Sequence, residues 1–250
     1  MIGVRLALSV GLALVGFATP VVGDAQTPAK VARIAYLGVD LASDDSRTRE
    51  AFLEGLRGLG YVEGRNLLIE YRDAKGKPER FPALAVELIA LKVDVIVTTG
   101  GTLAALAAKR ATTTVPIVFT AVGDPVADGL VASLARPGGN LTGLSLLLQL
   151  VDKLLELLKQ TVPEISRVAL LLKPDAAPDR TIKDYLTAAE AAAQALGVRL
   201  QVVEARGPED FDRAFSDMTK ARVGALAVLA TPVFNSARRR LVLMITDWEN

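Results

Sequence analysis

Hydroxyls, glycines and carboxylates recur directly after short apolar runs in this chain. Thr98, Thr99, Gly100, Gly101 and Thr102 follow the run that ends at Val97. Gly123, Asp124 and Pro125 follow Pro116 to Thr120, and Thr142, Gly143 and Ser145 surround a later run. Lys173, Pro174 and Asp175, and then Thr231, Pro232, Val233 and Phe234, repeat the arrangement further on. Glycine lets a ligand approach the backbone, and a helix N-terminus offers N–H donors with a partial positive charge. The Thr99–Thr102 turn therefore suits an anionic group such as a carboxylate. The same residues also suit a plain strand-to-helix turn with Thr102 as N-cap, and Asp124 reads equally as a cap or as a ligand contact. Residue type alone leaves both pairs of readings open.

Other chemistry finds fewer residues to use. The chain has no histidine and no cysteine. That removes thiol nucleophiles, imidazole and thiolate metal sites, the Ser-His-Asp triad and the commonest general acid-base group. It also leaves no disulfide framework and no residue for a lipoprotein anchor. The glycine turn is not G-x-G-x-x-G, and no G-x-x-x-x-G-K-[ST] occurs. Asp44, Asp45 and Asp175 read as solvated loop acids, and no spacing signals the paired carboxylates of glycoside chemistry. We therefore expect no cofactor, no metal and no catalysis. Basic and acidic residues number 29 and 28, for a net charge of +1. The densest basic cluster, Arg238 to Arg240, reads as a solvated helix face, so nucleic acid is not an expected partner.

The elements that must position these turns follow an alternating rhythm. Arg33–Val39, Asn66–Arg72, Val93–Val97, Pro116–Thr120 and Leu141–Leu144 read as strands. Between them, Glu50–Leu59, the stripe Phe81, Leu84, Ala85, Leu88, Ile89, and Thr102–Ala111 read as helices. Asp124 and Pro125 predict the N-cap and first position of another helix. After a leucine-rich helix over Leu147–Leu158 the rhythm restarts. Strands Val168–Leu172, Arg199–Val203 and Ala225–Leu229 alternate with helices Thr181–Leu196 and Glu209–Lys220, and a last helix starts at Ser236. Strands separated by single helices imply βαβ units, and their continuous Val/Ile/Leu runs imply parallel sheets covered on both faces. The expected fold class is α/β, with two doubly wound parallel-sheet lobes at 31–145 and 167–250. A connecting helix and crossover would occupy 146–166. In such sheets ligands bind beyond the carboxyl ends of the strands, where the polar turns lie.

The first residues form a segment apart. Arg5 precedes the apolar stretch Leu6–Ala18, which is short of the roughly twenty residues of a membrane span. Small and polar residues run from Thr19 to Ala25. Residues 1–25 read as a signal peptide, cleaved after Gly23 or Ala25, and hence as a route to the periplasm.

Four stretches together resemble a known family. They are Gly60-Tyr61-Val62-Glu63-Gly64-Arg65-Asn66-Leu67; Val93 to Val97 with Thr99 to Thr102; Gly123-Asp124-Pro125-Val126; and Ala135-Arg136-Pro137-Gly138-Gly139-Asn140-Leu141-Thr142-Gly143. In this order they are similar to the ABC transporter substrate-binding proteins of the tryptophan/tyrosine importer type, over roughly Val31 to Arg240. The resemblance implies the type I periplasmic-binding-protein fold. It also implies a small-molecule ligand such as an aromatic or other amino acid, held between the lobes, and an ABC permease as partner. Carried over residue by residue, it points to Thr99, Gly100, Gly101, Thr102, Asp124, Thr142 and Ser145 in the first lobe. In the second it points to the stretch Thr231 to Asn235. Phe234 or Tyr36 would cover an apolar side chain, and an acid would hold the ammonium. After Arg240 the likeness fades, so a C-terminally incomplete second lobe of about three strands with an exposed sheet edge is expected, less stable than a full-length relative. A Rossmann-like enzyme using carboxylates, and a ligand-sensing domain of the same fold, are the alternatives.

Overall fold

The computed structural model describes residues 31–42, 46–146 and 150–248; the leader expected at 1–25 lies outside the described residues. From Val31 onward the chain forms one compact unit. Its first part alternates β1 (Ala32–Gly38), α1 (Ser46–Gly58), β2 (Leu67–Asp73), α2 (Phe81–Ala90), β3 (Val95–Thr98), α3 (Gly101–Ala111), β4 (Ile117–Val122) and β5 (Leu141–Ser145). Its second part runs α4 (Val151–Thr161), β6 (Arg167–Leu172), α5 (Asp179–Ala195), β7 (Arg199–Glu204), α6 (Phe211–Lys220), β8 (Ala225–Val228), α7 (Pro232–Ser236) and α8 (Arg238–Trp248).

The strands pair in parallel as two sheets, in the orders β2-β1-β3-β4-β5 and β7-β6-β8. The expected α/β class and two-sheet arrangement are present. Helices lie on both faces of each sheet, which is why the central strands β3 and β6 are apolar on both faces. In the first, α2 and α3 cover one face through Phe81, Leu84, Ala85, Leu88 and the buried alanines 104, 105 and 108. On the other, Phe52, Leu53 and Leu56 of α1 pack over Tyr36, Leu67, Ile69 and Val97. In the second, α6 and α8 lie on one face. The other is covered by α4 and α5, through Val151, Leu155, Ala189 and Ala193. The helix read from sequence as a connector is thus part of the second lobe's core. It starts at Val151, and residues 147–149 lie outside the described residues.

The helix expected at Asp124 does not form. Residues 125–129 make hydrogen-bonded turns instead. Asp124 does cap, its Oδ1 accepting from the backbone N–H of Val126 at 3.0 Å and of Ala127 at 2.9 Å. Gly129 then turns the chain into left-handed backbone at φ 67°. A cap and a C-terminal glycine five residues apart leave room for one turn and no more. Leu130 is buried beneath it and Lys109 Nζ donates to the carbonyls of Gly129 and Leu130, so the loop is fixed to α3.

Candidate functional site

The carboxyl ends of both sheets face a common cavity of about 340 Å³. This lies toward the small end of the roughly 300–1,000 Å³ range of small-molecule pockets. The first lobe lines it with Gly101 and Thr102 after β3, Ala121, Gly123, Asp124 and Ala127 after β4, and Leu146 after β5. The second contributes Val151 from α4, Ala176 and Ala177 after β6, and Thr181, Ile182, Asp184, Tyr185 and Ala188 from α5. Leu229, Ala230, Thr231 and Pro232 follow β8. Most of this surface is apolar. The charged side chains lining it among the described residues are Asp124 and Asp184, both acids.

Gly101 opens α3 at φ 75°, a conformation that side chains rarely adopt. A Cβ there would lie 3.6 Å from Pro232 of the other lobe and 3.7 Å from the Ala121 carbonyl oxygen. The glycine thus brings the positive end of α3 to the cavity and leaves room for Pro232 across it. The N-cap of α3 is Gly100, without a side-chain cap bond, so Thr102 is not the cap that its position suggests. Its hydroxyl instead donates to Asp128 Oδ2 at 3.0 Å. Asp128 Oδ1 accepts from Thr181 Oγ1 of α5. Burial raises the Asp128 pKa; the Thr181 and Thr102 hydroxyls pull it down, and the like charge of Asp124 adds to the rise. On the far wall Tyr185 is pushed up to about 12 by burial, so its phenol stays neutral.

Of the residues singled out from sequence, Gly101, Thr102 and Asp124 meet at the cavity. The others have different surroundings. Thr99 is tied to β1 through its N–H, which donates to the Leu37 carbonyl at 2.9 Å. Gly100 packs on Phe81; a Cβ would fall 2.5 Å from the ring's Cζ. Thr142 is exposed on β5, beside Val118. Ser145 Oγ donates to the Gly123 carbonyl at 2.8 Å and so braces the loop that carries Asp124. Phe234, expected over the ligand, is a core residue at 1% exposure, its ring edge-on to Phe211 at 5.6 Å. Thr231 holds it there by accepting from the Phe234 N–H at 3.1 Å. Tyr36 is equally buried, with its ring tilted against those of Phe52 and Tyr71 at 5.5 and 5.6 Å. Neither the Phe234 nor the Tyr36 ring lines the cavity, because a continuous apolar strand or short helix buries its largest rings first.

Sequence reasoning passed over Asp128 and the α5 wall. Thr181, Asp184, Tyr185 and Ala188 stand at i, i+3, i+4 and i+7, a stripe the sequence does carry. Nothing in the stripe distinguishes a face toward a cavity from a face toward solvent or core.

A family model described as ABC transporter substrate binding protein matches residues 39–242. A protein of Clostridioides difficile (strain R20291), named Tyrosine-binding protein, is 36% identical over 125 residues, 50% of this chain. That match spans about a third of the relative's own length, 36%. Among solved structures, a conserved domain protein from Vibrio cholerae O1 biovar El Tor superposes with a TM-score of 0.76 at 29% identity, covering 88% of this chain and 73% of that one. An ABC domain from Streptococcus pneumoniae in complex with L-Trp superposes with a TM-score of 0.71 at 22% identity, covering 88% and 72%. At that identity the likeness speaks for the fold. With paired parallel sheets, a cavity between their carboxyl ends and a family match across nearly all of the described residues, the chain belongs to the ABC transporter substrate-binding proteins and has their type I periplasmic-binding fold.

Proposed function

We propose that the protein is an exported receptor for an ABC importer, binding one small amino acid with an apolar or aromatic side chain and catalysing no reaction. The observation that carries this reading is the cavity itself, apolar over most of its wall and flanked at one end by Asp124 and the start of α3. An α-ammonium group would sit against the Asp124 carboxylate, and the α-carboxylate against the positive end of α3. The side chain would lie along Tyr185, Ile182 and Ala188 of α5, where a neutral ring face and small residues leave it space. The Clostridioides difficile relative is named for tyrosine and the Streptococcus pneumoniae structure holds L-Trp, both of this chemical kind. Simple carboxylates without an amine fit less well, since no lysine or arginine lines the cavity among the described residues. Residues 1–25 would direct the chain to the periplasm and be removed, and an inner-membrane permease would receive the loaded protein. No helix among the described residues is long and apolar enough to cross a membrane.

The test uses protein purified from the periplasmic fraction, with an N-terminus near Asp24 or Gln26. Calorimetric titration compares L-tryptophan, L-tyrosine, L-leucine, tryptamine and benzoate. We expect saturable binding of at least one of the three amino acids, weaker binding of tryptamine and none of benzoate. Saturable benzoate binding with no amino acid binding would overturn the assignment of the two ends of the site.

A further inference from the structure

We propose that Asp128 is a clasp for the cleft, one carboxylate that takes a hydroxyl from each lobe and thereby sets how much of the protein is closed. The proposal rests on reading the cleft as a binding site that opens and closes, but not on which ligand enters it. Thr102 Oγ1 donates to Asp128 Oδ2 at 3.0 Å, and Thr181 Oγ1 donates to Asp128 Oδ1. The first bond lies within the first lobe; the second crosses to α5 of the other lobe. Asp128 itself is rigidly mounted. Its N–H donates to the Asp124 carbonyl at 2.9 Å, and Lys109 Nζ holds the next two carbonyls, of Gly129 and Leu130, at 2.5 and 3.2 Å. The carboxylate therefore moves with the first lobe and Thr181 with the second.

Separating the lobes would break the Thr181 bond while leaving the Thr102 bond intact. The contact is thus conditional on closure, whereas the bonds that hold the turn are not. Thr102 and Thr181 both line the cavity, and Asp128 stands behind them. Asp128 is on this geometry a positioning residue. It aligns two wall hydroxyls and contributes to the closed state without touching a ligand. Apparent affinity scales with the fraction of protein already competent to bind, so a clasp at this place tunes affinity from outside the contact surface.

The test reads closure directly and without ligand. Ala83 on α2 and Ala191 on α5 are exposed, one on each lobe. The chain has no cysteine of its own. Ala83→Cys and Ala191→Cys carry spin labels, and the distribution of distances between them is measured by pulsed electron resonance. We expect a short-distance population in this labelled parent. Its ratio to the long-distance one should fall roughly three- to tenfold in Asp128→Ala and in Thr181→Val, about the size of one net hydrogen bond. Thr181→Val in the Asp128→Ala background should add nothing. Should Asp128→Ala fail to fold, the near-isosteric Thr181→Val carries the test. A labelled parent with no short-distance population, or folded variants that keep it undiminished, would overturn the clasp. Because no ligand is present, this outcome is separate from a failure to bind amino acids.

Discussion

The two walls of the cavity are built on opposite plans. The first-lobe wall is built from strand ends, loops and the first turn of α3, cross-linked by polar side chains. Asp124 caps its own turn, Ser145 braces Gly123, and Lys109 and Asp128 tie the turn to α3 and to α5. The second-lobe wall is mostly one helix and one strand end. It presents Ala176, Ala177, Ile182, Tyr185, Ala188 and Leu229, together with Asp184, Thr231 and, as its contact to the clasp, Thr181. Fixed polar groups orient a ligand, while small residues on a rigid helix set how large its apolar part can be. On the proposed reading, the first lobe would recognise the ligand's charged ends and the second would select its side chain.

The largest expected effect comes from filling the space that the second wall leaves. Ala188→Phe should lower amino acid affinity more than about 100-fold, whereas its cost to folding is the roughly 0.5 kcal/mol by which phenylalanine trails alanine in a helix. Titration and thermal melting read the two separately. A variant that binds as tightly as the parent would show that the side chain of the ligand does not lie along α5.

Asp124 probes the other wall and yields a smaller change. Removing a charge-assisted contact worth about 1.5–3 kcal/mol should weaken binding by about one to two orders of magnitude. Asp124→Asn retains an oxygen for the Val126 and Ala127 amides and removes the charge; Asp124→Ala removes both. Equal losses of affinity, with a lower melting temperature only for Asp124→Ala, are the expected pattern. A fall in affinity confined to Asp124→Ala would make the residue a turn cap and nothing more.

The smallest effect concerns pH. Burial raises the Asp128 pKa in the folded protein, so the folded state binds more protons here than the unfolded chain does. Stability from this group is therefore fullest below the ordinary aspartate pKa and falls as pH rises through the raised value. Asp128→Asn lacks the titration. The unfolding free energy of the parent minus that of Asp128→Asn should decline with rising pH across this acid window and level off above it. Urea unfolding at a series of pH values measures it, and a difference that grew with pH would mean that the two threonine hydroxyls outweigh burial.

Much of this architecture is written in local patterns. Apolar runs bounded by polar turns named the eight strands among the described residues, and the central ones are continuous because a parallel strand covered on both faces can bear little else. The amphipathic stripe from Phe81 to Ile89 placed α2 to within a residue. Gly101, Thr102 and Asp124 were legible because a glycine turn after a strand is forced to the carboxyl edge of a parallel sheet. What the chain alone could not decide is which way a side chain faces once two layers compete for it. Phe234 and Tyr36 were the aromatics nearest the turns, yet the core took both, since burying a ring in a tight interior stabilises by more than half-covering a cleft. The glycine at 129 stopped a helix whose start signals were sound. Asp128 gave no signal at all in sequence. Its meaning arises from Thr102, 26 residues before it, and Thr181, 53 residues after it. Only the apposition of two separate sheets brings those hydroxyls to one carboxylate.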